Sequence, residues 1–152
     1  MRRALTLCLA GLLAACQDAP EAVPYEPVTD MAGLMEHVLE PAADVLWDSA
    51  GSIITADGEQ FLAPTTDEGW LAVLNQATVI AEAGNTLMLP IYRQDEGAWM
   101  EFSKGLTAAG RVAMDAARQQ DDDALFQAGA RLYSVCVACH QMYWNDAPQR
   151  PE

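Results

Sequence analysis

Four stretches of this chain repeat apolar residues at intervals of three and four, a spacing that lines one face of an α-helix and scatters over both faces of a strand. The first runs from a cap at Thr29 or Asp30 through Leu34, Met35, Val38, Leu39, Ala42, Val45 and Leu46. Pro41 lies inside it and should kink it, and Gly51 should stop it. The second opens on a capping box, Thr65 with Glu68 three residues later, and carries Trp70, Leu71, Val73, Leu74, Ala77, Ile80, Ala81 and Leu87 before Pro90. The third extends from about Glu96 through Trp99, Phe102, Leu106, Ala109, Ala113 and Ala116 to a polar turn at Gln119 to Asp123. Asp121, Asp122 and Asp123 read as caps for a fourth helix rather than as catalytic carboxylates, because negative charge suits a helix N-terminus. That helix has the stripe Leu125, Phe126, Gly129, Leu132, Tyr133 and Cys136, and continues through His140 to Tyr143. Ser52 to Pro64 reads as a long connection with a turn at Asp57-Gly58. Mostly short links then predict an all-α fold, an antiparallel four-helix bundle over residues 30–144, without internal repeat or second domain.

What precedes the bundle is of a different kind. Met1-Arg2-Arg3 is a positive start, and Ala4 to Leu13 is an apolar run too short for a permanent membrane span, so residues 1–15 read as a secretory signal. Leu13-Ala14-Ala15-Cys16 resembles a bacterial lipobox, which implies cleavage before Cys16 and lipidation of its sulfur. The alternative is an ordinary signal cleaved near Ala15, which would leave an exposed thiol in an oxidising compartment. Residues 16–29, with Pro20, Pro24 and Pro27, form an extended tether, and residues 145–152 a C-terminal tail. The expected location is periplasmic, at the inner or the outer membrane, with the lipid as the only anchor.

Chemistry concentrates in Cys136-Val137-Ala138-Cys139-His140. Two thiols three positions apart can each add to a haem vinyl group as thioethers, and the adjoining imidazole can ligate the iron, so one segment supplies both anchor and axial ligand. A thioredoxin-like redox pair would want a strand before it and a βαβ context, and Asp122 to Val135 is helical in pattern. Zinc would want four ligands, and once Cys8 leaves with the signal and Cys16 carries lipid, no second cysteine pair remains. The expected cofactor is one covalent haem c. A formal net charge of −14 disfavours nucleic acid and favours encounter with a basic protein face.

A CxxCH run at residues 136–140, on the last of four predicted helices, resembles the class II cytochromes c, the cytochrome c′ group. The resemblance covers the predicted bundle, its one specific motif is that run, and the long loop, Pro41 and the lipid tether depart from the simplest members. It implies haem inside the bundle, Cys136 and Cys139 as attachment sites, His140 as proximal ligand, a distal face on the first helix, and a homodimer through the first two helices. A distal methionine would give a six-coordinate electron carrier, and an apolar residue would leave a five-coordinate site open to nitric oxide or carbon monoxide. Met35 is the foremost distal candidate, with Met31 one turn earlier on the same face. His37 projects about 200° from Met35 and reads as a surface residue. Trp47, Trp70, Trp99 and Tyr133 read as packing, and Arg93 and Arg131 as surface cations within possible reach of haem propionates. The expected function is single-electron transfer with periplasmic or membrane redox proteins; the alternative is gas binding or sensing. Catalysis is not expected, since the chain offers no distal histidine or arginine for work on peroxide.

Overall fold

The computed structural model describes residues 25–144. Residues 1–24 and 145–152, and with them the expected signal segment, Cys16, most of the expected tether and the expected tail, lie outside the described residues. Helix accounts for most of what is described. The first rod is continuous but composite: α1 (Met31–Leu34), a π-helical turn (Met35–Leu39) and α2 (Glu40–Asp48). A two-stranded hairpin follows, β1 (Ser52–Thr55) and β2 (Gly58–Phe61), and then α3 (Asp67–Leu87), α4 (Ala98–Gln119) and α5 (Asp122–Tyr143).

The helices start where side chains satisfy their free amides. Asp30 accepts from the Gly33 amide, Thr66 from Gly69 and Asp121 from Ala124. The cap of α3 is therefore Thr66, one residue beyond the capping box expected at Thr65, and Glu68 sits in the first turn as a favourably placed charge. α4 begins at Gly97, which has no side chain to cap with; Asp95 substitutes, accepting from the amides of Gly97 at 2.7 Å and Trp99 at 3.2 Å. Gln120 closes α4 in the left-handed region at φ 53°.

Consecutive rods run antiparallel. Trp99 donates its indole N–H to the Leu87 carbonyl at 2.7 Å and Thr107 its hydroxyl to the Ala81 carbonyl at 3.1 Å, so the start of α4 meets the end of α3. Trp99 and Phe102 meet Tyr143, and Gly105 meets Val135, so α4 and α5 are opposed in the same sense. Trp47 of α2 lies on Gly129 of α5, donating to its carbonyl at 3.1 Å, while Tyr92 after α3 donates to the Thr29 carbonyl before α1. The core between them holds Leu46, Val73, Ile80, Leu125 and Leu132, all essentially without exposure. No buried side-chain polar atom among the described residues lacks a hydrogen-bond partner.

Two expectations need correction. The connection after Gly51 is a hairpin, with Ser52 paired to Phe61 and Thr55 to Gly58 and the turn at Ala56-Asp57 rather than Asp57-Gly58. Ile53, Ile54 and Thr55 are β-branched, and Gly58 supplies the φ of 125° that the turn exit requires. Its side chains project into solvent, with Ile54 83% and Phe61 67% exposed. Pro41 does not produce a simple kink either. It has no N–H for the His37 carbonyl and its ring crowds that carbonyl, and the turn before it widens so that the Glu40 amide reaches back five residues to Met35. Among the described residues no helix is long and apolar enough to cross a membrane.

Candidate functional site

α5 changes character along its length. Its first half buries Leu125, Ala128, Gly129 and Leu132. From Val135 to His140 every residue is half-buried, and since six residues exceed one full turn, no side of this segment is sealed by packing. The cause is the first rod, whose contact with α5 is made by α2 through Trp47, whereas the π turn packs on α3. The Cys136–His140 turn is thus an open flank of the bundle. Two open depressions, of 270 and 410 Å3, lie elsewhere, one lined by α3–α4 residues such as Asn85 and Arg111, the other by Phe61 at the hairpin end and Trp70 at the start of α3.

Cys136 and Cys139 are free thiols on one side of α5, both resting against the core. Burial pushes the Cys136 thiol up, and it pushes Cys139 up to about 11, with Cys136 beside it adding to the effect. They also sit near the C-terminus of α5, whose dipole opposes a thiolate. Redox CxxC pairs work through the opposite arrangement, a thiol activated at a helix N-terminus, so disulfide exchange is poorly served here. A thioether carries no charge, and burial does not oppose it. Zinc is poorly served too, since no three His, Cys, Asp or Glu side chains among the described residues converge to hold an ion.

Desolvation holds His140 below its ordinary value, so its imidazole is neutral at pH 7 and has a lone pair to offer. Its ring meets Trp144 edge to face, with centroids 4.9 Å apart and planes at 74°. The i to i+4 spacing of this pair was readable in the sequence. A second fixture was not. Tyr143 donates its hydroxyl to Asp95, the residue that also caps α4, and its ring stands edge-on to Trp99 at 4.9 Å and Phe102 at 6.3 Å. Four residues from Cys139, this latch ties the end of α5 to the start of α4.

The latch has a defined pH window. The hydrogen bond from Tyr143 lowers Asp95, a contribution present above the ordinary carboxylate value of 3.8 and lost as pH falls through the lower folded one. The same bond raises Tyr143 from 10.0 to about 12, a contribution complete below 10 and lost as pH rises through 12. Absorbance titration should therefore show a tyrosine component near pH 12, and Tyr143→Phe should remove that component and speed amide exchange over residues 139–144.

The other candidates separate clearly. Met35 is half-buried in the π turn and Met31 half-buried one turn earlier, while His37 is exposed as expected. Arg93 bridges Glu96 at 3.0 Å, and Arg131 is exposed on α5. Trp70 and Trp99 are buried, and Trp47 is half-buried with its edge toward the exposed Tyr133 at 6.3 Å. Met35 precedes Trp47 by twelve residues, and twelve residues beyond Gly129 on the opposed helix is Gln141, about 18 Å along both rods. Counted this way, Met35 falls toward the end of α5 that carries His140, while the contacts of the first rod with α5 are chiefly those of α2.

Fold and site together define a helical bundle whose last helix carries two free thiols and a neutral imidazole on an open flank. No family model, no curated protein and no solved structure matches the chain.

Proposed function

We propose that this chain is a membrane-tethered, mono-haem c-type cytochrome of the class II kind that carries single electrons in the periplasm. The observation that carries the reading is the Cys136-Val137-Ala138-Cys139-His140 run on that flank, where both thiols are unpaired and share a side of the helix. Haem, when bound, supplies an iron that takes up and releases one electron. Cys136 and Cys139 would hold the group through thioethers, each thiol adding its sulfur to one vinyl carbon and its proton to the other, so that no oxidant would be needed. His140, its ring steadied by Trp144, and Met35 would be the residues that offer the iron a lone pair, an imidazole nitrogen from the one and a thioether sulfur from the other. A thioether ligand, and the apolar core against which Met35, Cys136 and Cys139 pack, would favour the reduced state. Cys16, through its lipid, keeps the carrier near membrane oxidoreductases, and the acidic surface steers it to a basic docking face.

One observation favours a second reading, a five-coordinate protein that binds nitric oxide or carbon monoxide. The contacts between the first rod and α5 are made chiefly by α2, not by the π turn that carries Met35, so a Met35 that stays against the core would leave the iron open. Absorption spectra of the matured protein, with Met35→Ala alongside, separate the two. Electron transfer predicts a low-spin ferric spectrum with the sulfur-to-iron near-infrared band, lost in Met35→Ala together with a fall in potential. A high-spin spectrum indifferent to the substitution would replace it with gas binding.

A further inference from the structure

The π turn alters which side chain faces where. Traced back from Ala42 and Leu46 in unbroken α register, the core column reaches Met35, seven and eleven residues earlier, or about two and three turns. The column is instead completed by Leu34, 5% exposed, with Met35 half-buried beside it. An extra residue in the turn rotates everything before it by about 100° relative to everything after it, and this exchanges Leu34 for Met35. Met35 follows Leu34 as Trp47 follows Leu46, and Trp47 is the residue whose indole lies on α5. Met35 is therefore on the α5-facing edge of the rod, toward the end of α5 that carries His140.

We infer that Pro41 is a positioning residue for the axial ligand: the π turn it forces keeps Met35 out of the core column and holds its thioether on the edge that faces His140. This rests on the haem reading proposed above. A thioether in the core column would be committed to packing against α3. On the edge it is free to turn toward a flat group between the first rod and α5.

The test uses three forms of the protein and two readouts. Pro41→Ala permits an ordinary α turn, which would return Met35 to the column and turn Leu34 outward. Deleting exposed His37 in the Pro41→Ala background removes the extra residue as well, giving a straight α-helix with Leu34 again inward and Met35 at the edge. The first readout, which needs no haem, is sulfoxide formation at Met35 in dilute peroxide, measured by peptide mass with Met114 as internal reference. Met35 should oxidise several-fold more slowly in Pro41→Ala than in the parent, and the parent rate should return on deletion of His37. The second is the sulfur-to-iron band in protein with haem attached, lost in Pro41→Ala and regained in the combined variant. Equal Met35 oxidation in parent and Pro41→Ala overturns the inference, as does loss of the band in both variants, which marks general damage. A parent chain that takes up no haem overturns the haem reading, and the oxidation rates still report the register.

Discussion

A chain carrying Cys136→Ser together with Cys139→Ser is expected to mature without covalent haem. Denatured protein from cells equipped for haem attachment should have the mass of the polypeptide alone, where the parent carries one haem more. The effect is all or none because a hydroxyl does not form the thioether, and no other cysteine lies among the described residues. Each single variant should retain haem through the remaining sulfur. The helices should survive, because serine is close to cysteine in size and both positions already meet solvent on one side. Haem that stays with the denatured double variant would sink the attachment sites and the proposed function with them.

Gly110→Leu should cost the bundle about 3 kcal/mol or more and lower Tm by roughly 10 °C. A Cβ at Gly110 would lie 2.6 Å from the Ala81 amide nitrogen and 2.9 Å from the Ala77 carbonyl oxygen, and one at Gly84 would lie 2.7 Å from both the Ser103 carbonyl oxygen and the Thr107 amide nitrogen. These are backbone atoms, which yield only if α3 and α4 move apart as whole rods. Gly105→Ala supplies the contrast on the same helix. Its Cβ would meet Val135 side-chain carbons at 3.6 and 3.7 Å, an ordinary contact, so the helix preference of alanine should leave stability equal or raised by about 0.5–1 kcal/mol. Thermal melts of the two variants beside the parent decide the matter. A Gly110→Leu chain that melts with the parent would mean that α3 and α4 are not in backbone contact.

Much of the bundle was legible one residue type at a time. Asp121 caps α5 and Tyr143 ends it, and Trp99, Leu106, Ala109, Ala113 and Ala116 of the third stripe are all buried. Local chemistry suffices there, because a capping carboxylate and an apolar stripe act within a few residues of themselves. The second and fourth stripes overreach, since Leu71, Phe126 and Tyr133 are exposed. Periodicity locates a face of a helix, but how wide a face is covered depends on how many neighbours the helix has. The hairpin carried a signal in its β-branched run and glycine turn that was outweighed by its position between helices.

The CxxCH spacing, the acidic balance and the four helical periods are properties of neighbouring residues along the chain, and they specify a helical protein with one reactive turn near its end wherever that turn comes to lie. Three things required the chain to be folded. Backbone contact at Gly84 and Gly110 depends on which glycine meets which facing strip of small residues, a matter of register between rods. The Asp95–Tyr143 latch joins residues 48 positions apart. The exchange of Leu34 for Met35 needs an extra residue accommodated ahead of Pro41, and whether a proline kinks a helix or widens its turn is settled by what the neighbouring helix leaves room for. Sequence spacing acts through bonds and short range, whereas these three act through space, between segments whose relative placement no local pattern encodes.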